Sequence, residues 1–397
     1  MDRSERREHD AMSAYTRVPV SPAILRWARE TSGCTLEEAA HRVQQDPAVL
    51  AAWETAETGQ KEPTLGALSE LAHLYDRPLA VFLLDEPPDE PAQPPDLRSA
   101  ARRAIGPLTR QSILASRRAR RMQRLVRDVR GTGAWTRPDT TPAGLDPDAV
   151  AAVAMAARQL LKVSLAEQGS WPNKDVAFSR WRAAVERTGV VVVQADLPFD
   201  DVRAFSVIGD PPAIVINEHD WTASKVFSLF HEYGHVLWGY EGICSPLDAG
   251  LASSSIEKAC DLFAGMLLVP PDGLLDNQVV RSMGARLGSI AAGDLARIAA
   301  TYNVSVMVIW YRLRQTGLIS ASAFSDRWGE WRRPRRQISK ARRPKIPAWS
   351  KAKRRLGSSL GTELIRAEES GKISIADALA SLEIRLEDLD TLRSAFG

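Results

Sequence analysis

The segment Val226–Gly239 carries two histidines and a glutamate in the pattern H-E-x-x-H, namely His231, Glu232 and His235. On an α-helix, residues i and i+4 lie on one face about one turn apart, so both imidazoles can reach the same metal ion. Glu232 would lie beside that ion, where its carboxylate can accept a proton from a water molecule. Because zinc lowers the pKa of a bound water to about 7, this spacing predicts a hydrolytic metal site.

A catalytic zinc takes three protein ligands and leaves one position for water, so a third ligand must come from another segment. Ile256–Pro271 predicts an amphipathic helix, and helical spacing places Glu257, Cys260 and Asp261 along one side of it. Cys260 could bind metal or be redox-active, but a small buried hydrophobic residue is the favoured interpretation. His219 precedes the motif in a predicted loop, where an exposed histidine is favoured over a third ligand.

Three short segments before the motif predict the β-structure that would position it. Gly189–Gln194 and Ala213–Asn217 are runs of branched residues typical of strands. Ala204–Val207 is expected to pair with the second of these as a hairpin at the edge of a small sheet over the metal helix. Such an edge strand can bind an extended peptide by adding it as a further strand. Within the metal helix itself, Gly234 lets a neighbouring segment approach closely.

The sequence FSLFHEYGH, followed by E-x-x-C-D-x-F-A-x-x-L-L-V-P, resembles the ImmA/IrrE family of zinc metallo-endopeptidases. The resemblance runs roughly from Leu160 to Ile319. It implies that His231, His235 and Glu257 bind Zn2+ and that Glu232 is the general base. Two histidines and a glutamate also favour zinc over manganese.

The same resemblance has two further implications. Asp261 stands where many relatives have asparagine, and one turn after Glu257 it can orient a zinc-bound imidazole. The implied substrate is a protein, a helix-turn-helix transcriptional repressor or antitoxin. Cleaving it would derepress mobile-element, stress or DNA-damage genes.

Residues 19–84 predict a compact unit of five short helices. Thr35 and Glu38 form a capping-box pattern, and Asp46 followed by Pro47 is a second start signal. These helices, with the sequence E-x-G-x-x-x-P-T at Glu57–Thr64, resemble the Xre-type helix-turn-helix domain of phage and plasmid repressors.

In an Xre-type domain the third helix enters the major groove of DNA, and Gln44 and Gln45 before it are candidate base contacts. Residues 21–84 nevertheless contain nine acidic and only five basic residues. Phosphate neutralisation supplies most non-specific DNA affinity, so an acidic module is poorly suited to bind DNA alone. The sequence leaves two roles open for it: DNA binding, and docking onto another helix-turn-helix protein.

The bulk composition narrows the class of protein. No run of eighteen apolar residues predicts a membrane span, and the charged start of the chain lacks the apolar core of a secretory signal. Three cysteines do not form a disulfide framework, which fits a reducing compartment. We therefore expect a cytoplasmic protein with no membrane partner.

Basic residues are concentrated in two stretches. Arg332–Arg355 holds twelve of them and no acid, and its prolines are expected to break helices. It predicts a tail on nucleic acid or on an acidic partner, with a solvated linker as the alternative. Arg102–Arg130, with Asp128 as its single acid, predicts a solvated helix packed by one face on the protease, with a nucleic-acid contact as the alternative.

We expect a mainly α fold with a small β-sheet, combining a five-helix helix-turn-helix domain with an α+β, zincin-like metallopeptidase domain. The expected segments are a disordered arm 1–18, an Xre-type helix-turn-helix domain 19–84, a Pro-rich linker 85–98, basic and Ala-rich helices 99–165, an ImmA/IrrE-like metallopeptidase domain 166–325, a basic Trp- and Pro-containing linker 326–360 and a C-terminal helical segment 361–397.

The sequence predicts a zinc-dependent endopeptidase with a regulatory helix-turn-helix domain, which would control mobile-element or stress genes by cleaving a repressor or antitoxin. The alternative is a DNA-binding regulator or antitoxin that uses the protease fold as a scaffold or sensor. All four residues that such an enzyme needs, the three of H-E-x-x-H and the later glutamate, are present in the sequence. Their presence favours the enzyme over the alternative.

Overall fold

The structure is a computed structural model that describes residues 16–55, 62–90, 108–138, 144–198, 202–244, 254–332 and 346–396. Its residues divide into two compact units, one made of 1–93 with 108–114 and the other of 94–107 with 115–397. Several predicted segments lie partly or wholly outside the described residues. They are most of the arm 1–18, the E-x-G-x-x part of the E-x-G-x-x-x-P-T match, much of the Pro-rich linker and the basic residues 333–345.

The first unit is a small helical bundle. Its elements are α1 (Pro22–Thr31), α2 (Leu36–Arg42), α3 (Pro47–Thr55), α4 (Leu65–Tyr75) and a 3-10 helix (Leu79–Leu83). The predicted capping box is present, because the Thr35 side chain accepts from the Glu38 amide and the Glu38 carboxylate accepts from the Thr35 amide. The fifth predicted helix is a single short 3-10 segment. It has only five residues, and 3-10 helices are typically this short.

The second unit is mainly helical and contains one four-stranded sheet. Before the sheet it has α5 (Arg110–Arg130, within which the division between the units falls), α6 (Pro147–Leu161), α7 (Leu165–Ser170) and α8 (Lys174–Glu186). The sheet region holds β1 (Val191–Ala195), β2 (Ala204–Val207), β3 (Ala213–Asn217), α9 (Thr222–Trp238) and β4 (Gly242–Cys244). The helices that follow are α10 (Ser255–Leu268), α11 (Pro271–Asp276), α12 (Gln278–Met283), α13 (Ala292–Thr301), α14 (Val306–Gln315), α15 (Ala321–Arg332), α16 (Ala348–Glu369), α17 (Ile375–Leu382) and α18 (Leu389–Phe396). None of the helices in the described part of the chain is both long and apolar enough to cross a bilayer.

The strand order is β1-β3-β2-β4. β1 runs parallel to β3, while β2 is antiparallel to both β3 and β4. The predicted β2–β3 hairpin is therefore confirmed, with Ala204 opposite Ile216. The prediction that β2 is an edge strand is wrong, because β4 occupies its other side. Three residues are too few for the alternating pattern that marks a strand in sequence, so β4 escaped prediction.

One face of the sheet packs on α9. Ala204, Ile214 and Ile216 belong to the same buried core as Phe227 and Phe230 of α9. Because side chains alternate along a strand, the intervening residues of β2 and β3 point to the opposite face. The metal-motif helix is thus held between the sheet and the helices of the second unit.

The basic stretch is only partly what the sequence predicts. Residues 348–369 form α16, which buries Ala352, Leu356 and Leu360 and bends at Gly357, whose φ is +68°. The expectation of a linker to residue 360 is wrong for this part, since Pro347 precedes the first turn of the helix instead of interrupting it. The carboxylates that balance its charge come from distant segments, such as the Glu218 group 3.2 Å from Arg354.

Candidate metal centre

The H-E-x-x-H segment lies in the middle of α9, and every residue from Lys225 to Leu237 is buried. The helix ends at Gly239, which adopts the left-handed conformation (φ +73°) that suits glycine after a helix. His231 and His235 project from the same face, with their Nε2 atoms 3.2 Å apart. The helical spacing read from the sequence therefore brings the two imidazoles together.

Glu257 reaches the two histidines from α10. It lies in the first turn of that helix, and its backbone amide donates to the Ser254 hydroxyl at 3.3 Å. The close crossing of α9 and α10 depends on Gly234, since a Cβ there would lie 3.1 Å from Cys260 Sγ and 3.2 Å from the Phe263 ring. The segment that the sequence expected to approach Gly234 is thus the helix that carries Glu257.

The three side chains form a compact group of possible metal ligands, with the donor atoms all within 4.8 Å of one another. Glu257 Oε1 lies 2.9 Å from His235 Nε2, and Glu257 Oε2 lies 3.4 Å from His231 Nε2. In a tetrahedral zinc site with bonds of about 2.0–2.1 Å, neighbouring ligand atoms stand roughly 3.3 Å apart. The donor types and spacings therefore fit a zinc ion.

Asp261 holds His231 from the side away from this group. The His231 Nδ1–H donates to Asp261 Oδ1 at 2.9 Å, which leaves Nε2 directed at His235 and Glu257. Burial lowers the pKa of His231, but the charge of Glu257 and the hydrogen bond to Asp261 outweigh it and raise that pKa well above its ordinary value. Burial also acts to raise the pKa of Glu257, yet the two histidines hold it well below its usual range. The ligand set thus carries a carboxylate ready to bind a cation.

Glu232 is fully buried beside the group. Both of its carboxylate oxygens lack a hydrogen-bonding partner within normal distance in the described residues. Burial raises the pKa of Glu232, and the positive charges of His235 and His231 oppose the rise. A buried carboxylate without partners costs free energy, and a role such as accepting a proton from a water molecule would explain why this one is present.

Two other residues considered from the sequence lie outside the group. Cys260 is fully buried against Gly234, and burial raises the pKa of its thiol well above the ordinary value, so it matches the small buried hydrophobic residue favoured above. His219 Nε2 instead lies 2.7 Å from Asp196 Oδ1, in a separate, largely exposed group with Glu218. Ser206, which is fully buried on β2, was not among the candidates read from the sequence. The only sequence signal for it is that a polar residue lies two positions after Ala204, on the same face of the predicted strand.

Replacing Asp261 should weaken zinc binding, and the loss should depend on whether the new side chain still accepts a hydrogen bond from His231 Nδ1–H. Asp261→Ala is expected to lower zinc affinity by about 10- to 100-fold, as for other partners of metal-bound histidines. Asp261→Asn should lower it less, because its amide oxygen can still accept from Nδ1–H. Zinc competition against a chromophoric chelator measures both, and equal losses in the two variants would contradict this role.

Residues 185–314 match the family model described as the IrrE N-terminal-like domain, Peptidase_M78. The match lies inside the range of the resemblance read from the sequence and contains all four residues of the site. It indicates an ImmA/IrrE-type metallopeptidase domain. Searches of curated proteins and of solved structures gave no match.

Proposed function

We propose that this protein is a zinc-dependent endopeptidase in which His231, His235 and Glu257 bind the metal and Glu232 is the general base. The observation that carries the proposal is the convergence of three donor groups from two helices beside a buried, open carboxylate. A purely structural zinc site would be closed by a fourth protein ligand, and no fourth residue joins this group among the described residues.

The chemistry divides between the metal and the chain. A zinc ion held by these residues would supply Lewis-acid activation of water and of the scissile carbonyl. Glu232 accepts the proton of the attacking water and returns it to the leaving amine. Its burial favours this role, because a raised pKa makes the carboxylate a stronger base. Asp261 keeps the His231 ring in the orientation that binding requires.

The substrate is proposed to be a protein bound as an extended strand. In the described part of the chain, β4 pairs only with β2, so its outer backbone edge is open to a peptide. This replaces the β2 edge that the sequence suggested. From the family resemblance we propose a helix-turn-helix repressor or antitoxin as the protein that is cut.

The first unit is proposed to be a regulatory helix-turn-helix module that works through protein contact. Gln44 and Gln45 are exposed before α3. The exposed residues of α3 itself are Pro47, Ala48 and Thr55, and none of them is basic. Without basic side chains, α3 cannot make the phosphate contacts that hold a recognition helix on DNA. A salt-dependent mobility shift on promoter DNA that is lost in a Gln44→Ala, Gln45→Ala chain would contradict this proposal.

Metal analysis tests the enzyme proposal directly. Wild-type protein purified without chelator should contain about one zinc per chain, and Glu257→Ala should lose most of it. Lys258→Ala is the matched control, since Lys258 is the exposed neighbour of Glu257 on the same helix. Mass spectrometry of the metal content gives the result, and a wild-type chain that stays free of zinc even after zinc is added would refute the proposal.

A further inference from the structure

One hydroxyl lies on the face of the sheet that covers the metal-motif helix. Ser206 is fully buried in the middle of β2, opposite Ile214 of β3. Opposed residues of an antiparallel pair share a face, and Ile214 belongs to the core that contains Phe230 of α9. Ser206 therefore points toward α9, the helix that carries Glu232.

Ser206 and Glu232 are each short of partners. Neither the Ser206 hydroxyl nor either Glu232 oxygen has a hydrogen-bond partner within normal distance among the described residues. The other polar residue on the inner sheet face, Gln194, is satisfied, because its amide oxygen accepts from Lys225 and its amide nitrogen donates to the Arg354 carbonyl. A hydroxyl and a carboxylate that are both buried without partners gain most by pairing, since each unpaired group costs about 1–3 kcal/mol.

The chemistry of the two groups decides which of them donates in a hydrogen bond between them. A serine hydroxyl can donate, whereas an ionised carboxylate can only accept. A hydroxyl that donates to a buried carboxylate stabilises the charged form of that carboxylate. A donor on one carboxylate oxygen also restricts rotation of the group and leaves the second oxygen for a water molecule.

We propose that Ser206 is a positioning residue for the general base, donating its hydroxyl hydrogen to one oxygen of Glu232 and directing the other toward the substrate water. The catalytic part of this inference rests on the proposed endopeptidase function. The pairing of Ser206 with Glu232 does not, because it rests on the burial of both groups and on the packing of β2 on α9.

Three variants distinguish the effect of losing the Ser206 hydroxyl from the effect of changing the side-chain volume at this buried position. Ser206→Ala removes the hydroxyl, Ser206→Thr keeps it and adds a methyl group, and Ser206→Val has the shape of threonine without the hydroxyl. The kinetic probe is the peptide that zinc-loaded wild type cleaves fastest in a proteome-derived peptide library. Ser206→Ala and Ser206→Val should lower kcat by about tenfold, the effect of one hydrogen bond, with KM and zinc content unchanged. Ser206→Thr should stay near wild type, and a threonine variant no better than valine would overturn the proposal.

A double-mutant cycle tests the contact without any activity. Denaturant unfolding of zinc-loaded full-length wild type, Ser206→Ala, Glu232→Ala and the double variant gives four transition midpoints. The shift caused by Ser206→Ala should differ between the wild-type background and the Glu232→Ala background, and additive shifts would overturn the contact. If wild type cleaves nothing in the library, the proposed function fails, while the cycle still decides whether Ser206 holds Glu232.

Discussion

Glu232→Gln should leave one zinc per chain and lower kcat by about 10²- to 10⁴-fold, the usual contribution of a general base. Glutamine keeps the size of the side chain, so the buried space that Glu232 occupies stays filled. It cannot accept a proton from water as a carboxylate does. Because Glu232 is not one of the three converging donor groups, metal binding is expected to survive the change.

The measurement compares new peptide termini produced by wild type and by Glu232→Gln in a proteome-derived peptide library. Glu167→Gln is the matched control, since Glu167 is an exposed glutamate on α7 in the same unit. A Glu232→Gln chain that retains zinc and cleaves as fast as wild type would remove the base from the mechanism. Loss of zinc together with activity would instead make Glu232 part of the metal site.

Arg182→Ala should reduce the free energy of unfolding by about 3–5 kcal/mol, the cost of breaking a buried ion pair on one side. Arg182 Nε lies 2.8 Å from Glu186 Oε1, and both side chains are about 95% buried. The same guanidinium donates to the carbonyl oxygens of Val192 on β1 and of Arg354 and Arg355 on α16. Removing it strands the Glu186 carboxyl, whose pKa burial already raises, and takes a donor from the buried Val192 carbonyl.

Urea unfolding measures this loss, and Arg180→Ala, an exposed arginine on the same helix, should change stability by no more than about 0.5 kcal/mol. The double variant Arg182→Met, Glu186→Leu should recover part of the loss, because it removes both charges together. A loss below about 1 kcal/mol in Arg182→Ala would show that this guanidinium does not hold α16 on the sheet.

Local features of the site could be read from the sequence because they depend on neighbours in the chain. The i and i+4 spacing of His231 and His235 needs only a helix, and the structure has that helix with the two rings together. The capping box at Thr35 and Glu38 is local in the same way. Glu257 required more, since it lies in another helix and was selected by a resemblance to a known family.

The features that escaped the sequence depend on pairings between distant segments. The position of β4 next to β2, the docking of α16 on β1 and the packing of the Ser206 face of β2 on α9 each join residues far apart in the chain. No local period or capping signal encodes such a pairing, and a run of basic residues near prolines looks the same whether its carboxylate partners are elsewhere in the fold or absent. The sequence by itself therefore determined the helix that presents the two candidate metal-binding imidazoles, and helix start signals such as the capping box. Only the tertiary structure decided which strand lies at the edge of the described sheet, which face of β2 packs on α9 and where the basic helix lies, because those depend on which buried surfaces and polar groups complement one another in three dimensions.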